Sequence, residues 1–260
     1  MIILYGINLS GTTWLADMLG AVSEPFEVDI GAACPDQPGI EAHAAQALEL
    51  RGLRRRLVGY NEQVAAADHD RIAALYRSFA KTWPQATGLK TLTMVYWDIM
   101  REVWPDAQFV FLKRDLWGWL NAIARWELRL QWYAEPACWF LYGDMANPPA
   151  ALEAERVADA YGVPEHWRPL LRAAYYRDAK YRWWEERQPD DILTTSFAGL
   201  MANWNTEIPR VLEGCGLPAP DSETLRGWAQ PVSREWPSET YTYRDVAGVI
   251  EILQGEGLEL

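Results

Sequence analysis

The chain opens with a short unbroken apolar run, Ile2-Ile3-Leu4-Tyr5, that stops at Gly6. A run of this length bounded by glycine predicts a buried strand rather than a helix. The period then changes. Between Thr12 and Gly20, Trp14, Leu15, Met18 and Leu19 recur at helical spacing, and Ser10 or Thr12 can cap the first turn. The clearest later run, Phe109-Val110-Phe111-Leu112 within Gln108 to Lys113, predicts a second strand covered on both faces. Shorter strands are predicted at Gly88 to Thr91 and Asp191 to Ser196. Helical patterns fall at Glu41 to Leu53, Asp68 to Lys81, Val95 to Val103, Leu116 to Leu130, Glu153 to Tyr161, His166 to Arg187 and Leu200 to Leu212. Pro105 and Pro189 end two of them, and Gly214 and Gly216 close the last. The Pro- and acid-rich stretch from Ser23 to Gly39 predicts irregular chain. Strands alternating with helices imply an α/β fold with a central parallel sheet flanked by helices. With no internal repeat, low-complexity tract or linker, a single domain over residues 1–260 is the expectation.

Composition narrows this picture. A chain of 260 residues, 50% hydrophobic and 23% charged, can bury a full core. Its formal net charge of −12 argues against a nucleic-acid or anionic-membrane surface, because a phosphate backbone needs a concentrated basic face. Any phosphate is then bound locally. Cys34, Cys138 and Cys215 are odd in number and far apart, which suits neither a disulfide framework nor a metal cluster, and fits a reducing cytoplasm. Met1 leads directly into Ile2 without a basic leader or a stretch long enough to span a bilayer, so no targeting or membrane segment is expected. Fifteen tryptophans, many of them crowded between Trp117 and Trp184, serve either an aromatic core or an aromatic acceptor pocket.

The turn Gly6-Ile7-Asn8-Leu9-Ser10-Gly11-Thr12-Thr13 has the glycine spacing of a Walker A loop, with Thr12 where the lysine should stand. Successive backbone N–H groups at a helix N-terminus still form a positive concavity for phosphate oxygens, and Ser10, Thr12 and Thr13 can add hydroxyls. The missing lysine counts against an ATP-dependent small-molecule kinase.

The string Ser10-Gly11-Thr12-Thr13-Trp14-Leu15 resembles the 5′-phosphosulfate loop of the PAPS-dependent sulfotransferases, usually P-K-S-G-T-T-W. That likeness implies that Ser10, Gly11, Thr12 and Thr13 hold the 5′-phosphate and that Trp14 lies against the adenine. Phe109 to Asp115 is similar to the family's strand ending in an arginine for the 3′-phosphate, which assigns that role to Arg114. A guanidinium suits it, since its planar fork makes two parallel bonds to a phosphate. Gly88-Leu89-Lys90-Thr91, followed by Trp104-Pro105-Asp106-Ala107, resembles the bacterial pattern in which the lysine stands near the transferred group. Lys90, one of four lysines in the chain, would stabilise charge building on the bridging oxygen. Asp191 to Phe197 matches a late strand before the adenine-contacting region, which brings in Phe197, and Arg234 falls where a loop closes over the 3′-phosphate. The resemblance therefore implies a divergent P-loop-type sulfotransferase domain, helically elaborated around its acceptor site, that uses PAPS, releases PAP and needs no metal.

Departures from the family pattern are equally plain. Leu9 stands where a basic residue contacts the bridging oxygen, and Asn121 stands near the usual 3′-phosphate serine, for which its amide could substitute. No histidine follows Lys90; His43, His69 and His166 lie elsewhere. A carboxylate can act as base instead. Tyrosylprotein sulfotransferases place a glutamate shortly after the first helix, where this chain offers Glu27 or Asp29. Two readings remain beside the kinase: sulfuryl transfer from PAPS to a hydroxyl or amine of a small aromatic or apolar acceptor, or a nucleotide- or small-molecule-binding protein of the same fold with altered or no catalysis.

Overall fold

The computed structural model describes residues 1–7, 10–23, 26–28, 62–82, 88–91, 97–125, 148–188, 190–229 and 240–258. Two compact units divide the chain: Met1–Leu53, Glu62–Arg114 and Pro189–Ser233 form one, and Arg54–Asn61, Asp115–Gln188 and Arg234–Leu260 the other.

The first unit is built on a five-stranded parallel sheet of order β2-β3-β1-β4-β5, with β1 at Ile2–Tyr5, β2 at Phe26–Val28, β3 at Gly88–Thr91, β4 at Gln108–Lys113 and β5 at Leu193–Ser196. Its helices are α1 (Thr12–Gly20), α2 (Glu62–Thr82), α3 (Trp97–Val103), α7 (Phe197–Ala202), α8 (Trp204–Gly214) and α9 (Ser222–Trp228). The fold class expected from the alternation of strands and helices is the one observed. The unbroken apolar runs in β1 and β4 follow from burial on both faces. Ile2, Leu4, Val110 and Leu112 pack with Leu15 and Leu19 of α1 and with Ile208, Val211 and Leu212 of α8. On the other face the Tyr5 ring stacks on Phe109 at 5.8 Å, and the Tyr5 hydroxyl donates to Met100 Sδ at 3.2 Å. Each such side chain removed from water contributes roughly 1.5–3 kcal/mol before entropy is counted.

Arg101 of α3 ties the chain before β5 to this face. Its guanidinium lies 4.3 Å over the Phe109 ring and makes paired bonds of 2.7 and 2.9 Å to Asp191.

The second unit is helical where described: α4 (Leu116–Ala124), α5 (Pro148–Ala160), a 3-10 turn at Glu165–Trp167, α6 (Arg168–Glu185) and α10 (Tyr243–Gly255). Helix α6 packs against α4, α5 and α10. It buries Tyr175, Tyr176, Tyr181 and Trp184, and Trp119 of α4 is likewise fully buried, so part of the tryptophan-rich segment forms core. Trp126, Trp132 and Trp139 lie outside the described residues. No described helix is long and apolar enough to cross a membrane.

Several boundaries differ from the sequence reading. Phe26–Val28, read as irregular, pairs with β3; three residues carry too little pattern to reveal a strand that a neighbour supplies. The single helix expected from Leu200 is two, broken at Asn203, whose backbone leaves the helical region at φ −122°, ψ 41°. Helix α5 begins at Pro148, five residues earlier than its apolar pattern suggested, with prolines at the first turn, where no intrahelical N–H is required. Helices α9 and α10 were not evident as patterns. The predicted helix at Glu41 to Leu53 lies outside the described residues.

Candidate functional site

The sheet order fixes where a ligand site should lie. From β1 the chain crosses to β2 on one side, and from β4 it proceeds to β5 on the other. The crevice at the carboxyl ends of β1 and β4 is therefore the topological switch point, where open α/β sheets bind ligands. In register, Tyr5 lies opposite Thr91 and Phe111, and Lys113 lies opposite Ser196. Four strands thus deliver Gly6, Thr91, Arg114 and Phe197 to one edge.

At that edge the glycine turn is tightly closed. A Cβ on Gly6 would sit 2.5 Å from both Ser10 Oγ and Thr12 Cγ2 and 3.1 Å from the Leu112 carbonyl. Ser10 is fully buried, and its hydroxyl donates to the Ile7 carbonyl at 2.7 Å, so it braces the turn. Neither Ser10 nor Thr12 caps α1 through its side chain; the N-cap is Gly11, in the left-handed region at φ 98°. The first-turn amides of α1 have no intrahelical acceptors, and no acidic residue stands in that turn to offset the positive end of the helix. Such a helix N-terminus offers N–H donors of the kind that can hold an anion. Asn8 and Leu9 lie outside the described residues.

Lys90, from the end of β3, donates from Nζ to Thr13 Oγ1 at 3.1 Å. Burial pushes its ammonium below the ordinary lysine range, with the Asp17 carboxylate pulling the other way. The sequence had placed Lys90 by likeness alone; the parallel β1–β3 pairing explains how it reaches the turn 77 residues away.

Arg114 follows β4, with its guanidinium 5.0 Å over the Phe197 ring. Phe197 begins α7, whose first turn is capped by Ser196 Oγ accepting from the Gly199 N–H at 3.0 Å. The same ring fills the space against Gly11, where a Cβ would lie 2.5 Å from Phe197 Cδ2. It also meets Trp14 edge-on at 5.6 Å. Trp14 in turn donates its indole N–H to the Trp228 carbonyl at 3.1 Å. Trp228 had no sequence signal, because its contribution is a backbone oxygen brought in by helix packing.

Other sequence candidates are not gathered at this edge by any described contact. Asn121 lies on α4 in the second unit, and its amide donates to the Trp117 carbonyl at 2.9 Å. Glu27 is in β2, paired opposite Leu89. Asp29 and Arg234 lie outside the described residues.

A parallel sheet with a glycine cradle at its switch point defines a P-loop-type α/β protein. The model of the sulfotransferase family matches residues 2–137, just over half of the chain, and the chain belongs to that family. Membership places it among transferases of the sulfuryl group, which generally draw on PAPS and act on small-molecule acceptors. The matched span includes the glycine turn, Lys90, Arg114 and Asn121 but not Phe197. A search of curated proteins found no match to the chain.

Proposed function

We propose that this protein transfers a sulfuryl group from PAPS to the hydroxyl or amine of a small aromatic or apolar acceptor, acting as one domain in the cytoplasm. The observation that carries the reading is the shared contact of Gly11 and Arg114 with the Phe197 ring, which holds an anion cradle and a guanidinium on the same edge. Two anion-binding groups fixed together suit a nucleotide bearing phosphates at both its 5′ and 3′ ends.

PAPS, when bound, supplies the activated sulfuryl group. The α1 amides with Thr12 and Thr13 would hold its 5′-phosphate, Arg114 its 3′-phosphate, and Trp14 and Phe197 the adenine. Lys90 places a cation beside the cradle, where negative charge grows as the sulfur–oxygen bond breaks. Glu27 or Asp29 would accept the acceptor's proton. The half-buried setting of Lys90 strengthens its field relative to a solvated lysine. The aromatic residues from Trp126 to Trp139 would line the acceptor pocket, since those from Tyr175 to Trp184 are largely spent in the helical core.

Calorimetric titration with PAP, AMP and ATP tests this reading. Wild type is expected to prefer PAP, and Arg114→Ala to lose at least tenfold on PAP while retaining AMP affinity, about the value of a charge-assisted phosphate contact. ATP preference, or no PAP binding, refutes it. Leu9, standing where a basic residue normally meets the leaving oxygen, supports a second reading as a binding protein without transfer. PAP binding with no sulfated product across a broad panel of phenols, alcohols and amines would select that one.

A further inference from the structure

The proposed role of Arg114 in recognising a 3′-phosphate leaves open what keeps a long, flexible side chain at the cradle. Free arginine side chains lose roughly 2 kcal/mol of rotamer entropy when fixed, so an unsupported guanidinium discriminates poorly. Phe197 supplies a support. Its ring lies under the Arg114 guanidinium at 5.0 Å, fills the space that the missing Gly11 side chain leaves, and meets the Trp14 ring at 5.6 Å and an interplanar angle of 78°. The three partners come from the residue after β4, the glycine turn and α1, and all three meet one ring.

The ring itself is held from below. Ser196 lies opposite Lys113 in the β4–β5 ladder, and its hydroxyl caps the first turn of the helix that Phe197 begins. The ring is therefore anchored by backbone register and a cap, independently of any ligand.

Resting on the nucleotide reading above, we propose that Phe197 is a positioning residue that couples the two anion subsites: it orders the left-handed turn at Gly11 and the guanidinium of Arg114 together, so that selectivity for a bisphosphorylated nucleotide over a monophosphorylated one depends on its ring. An aliphatic side chain would fill space but give Arg114 no π face. Space filling alone affects both subsites alike; a coupling ring affects their ratio.

The test is calorimetric titration of PAP and AMP against wild type, Phe197→Leu, Phe197→Tyr, Arg114→Ala and the Phe197→Leu/Arg114→Ala double variant, with circular dichroism confirming the fold of each. Phe197→Leu is expected to lower PAP affinity by about fivefold to thirtyfold, the range of a partly desolvated cation–π contact, with a smaller loss on AMP. Phe197→Tyr should retain the wild-type PAP-to-AMP ratio, and once Arg114 is already alanine Phe197→Leu should lower PAP affinity only by the smaller factor it costs on AMP. Phe197→Met, which keeps the bulk, serves the same comparison where the leucine variant does not yield folded protein. A wild-type preference for PAP that survives unchanged in the folded leucine or methionine variant overturns the coupling alone. Wild type that binds PAP no better than AMP overturns the nucleotide reading and the coupling with it.

Discussion

At the residue scale, glycine identity is set by two separate constraints. Gly6 has no room for a side chain between Ser10, Thr12 and the Leu112 carbonyl, whereas Gly11 combines a positive φ with a ring packed against its open face. Gly11→Ala should therefore lose about 1–2 kcal/mol from the left-handed backbone and more from displacing Phe197, read as a lower urea midpoint together with weaker PAP binding. Lys90 gives a pH prediction. Because burial lowers its pKa, it loses its proton at a lower pH than a solvated lysine. An anion held at Nζ requires the cation and raises that pKa on binding. Affinity for PAP should accordingly fall as pH rises through the lowered Lys90 value, and binding in that window should take up a proton, seen as a calorimetric enthalpy that varies with buffer ionisation. Lys90→Met should abolish both the uptake and that limb of the pH dependence.

At the scale of elements, helix starts are set by capping chemistry that is partly hidden in sequence. Helix α10 begins with a capping box: the Thr242 N–H and hydroxyl donate to Asp245 Oδ2 at 2.6 and 2.7 Å, and the Asp245 N–H donates to Thr242 Oγ1 at 3.3 Å. The Trp167 indole donates to Asp245 Oδ1 at 2.8 Å, and the ring lies against Gly248 one turn on. Burial alone would raise the Asp245 carboxyl; the bonds from the Thr242 backbone and hydroxyl, Trp167 and His166 outweigh it and hold the group below the ordinary carboxylate range. A carboxyl depressed in the folded state stabilises above its unfolded pKa and loses that contribution as pH falls through its folded value. Asp245→Asn should thus cost about 1–2 kcal/mol near neutral pH, with the gap to wild type narrowing below roughly pH 4. Urea unfolding of both proteins at pH 7 and pH 3 measures it, and a gap independent of pH would contradict the account. By contrast Asp191, largely exposed, should tolerate Asn within about 1 kcal/mol despite its paired bonds to Arg101.

On the scale of the whole molecule, a ligand held at the sheet edge should stabilise the unit that contains it. PAP at a hundredfold excess over its Kd should add about 2.7 kcal/mol to unfolding of that unit, followed by differential scanning fluorimetry, and no more than about 1.4 kcal/mol in Arg114→Ala at the same concentration. The chain's own order determined much of this protein. Short apolar runs stopped by glycine or an arginine predicted β1 and β4, and helical spacing after Gly11 predicted α1, because burial on both faces and one-sided burial leave different periods in the sequence. The glycine turn was legible because local backbone chemistry writes its requirements into adjacent residues, whereas Lys90 and Arg114 were singled out only through likeness to the sulfotransferase family. Tertiary structure alone decided what those residues meet. That Lys90 donates to Thr13, that Phe197 closes on Gly11 beneath Arg114, and that Trp14 reaches the Trp228 carbonyl all depend on strand order and register, which bring together residues 77 to 214 positions apart. A pattern of period two or 3.6 records which face of an element is buried but carries no record of the neighbour that buries it.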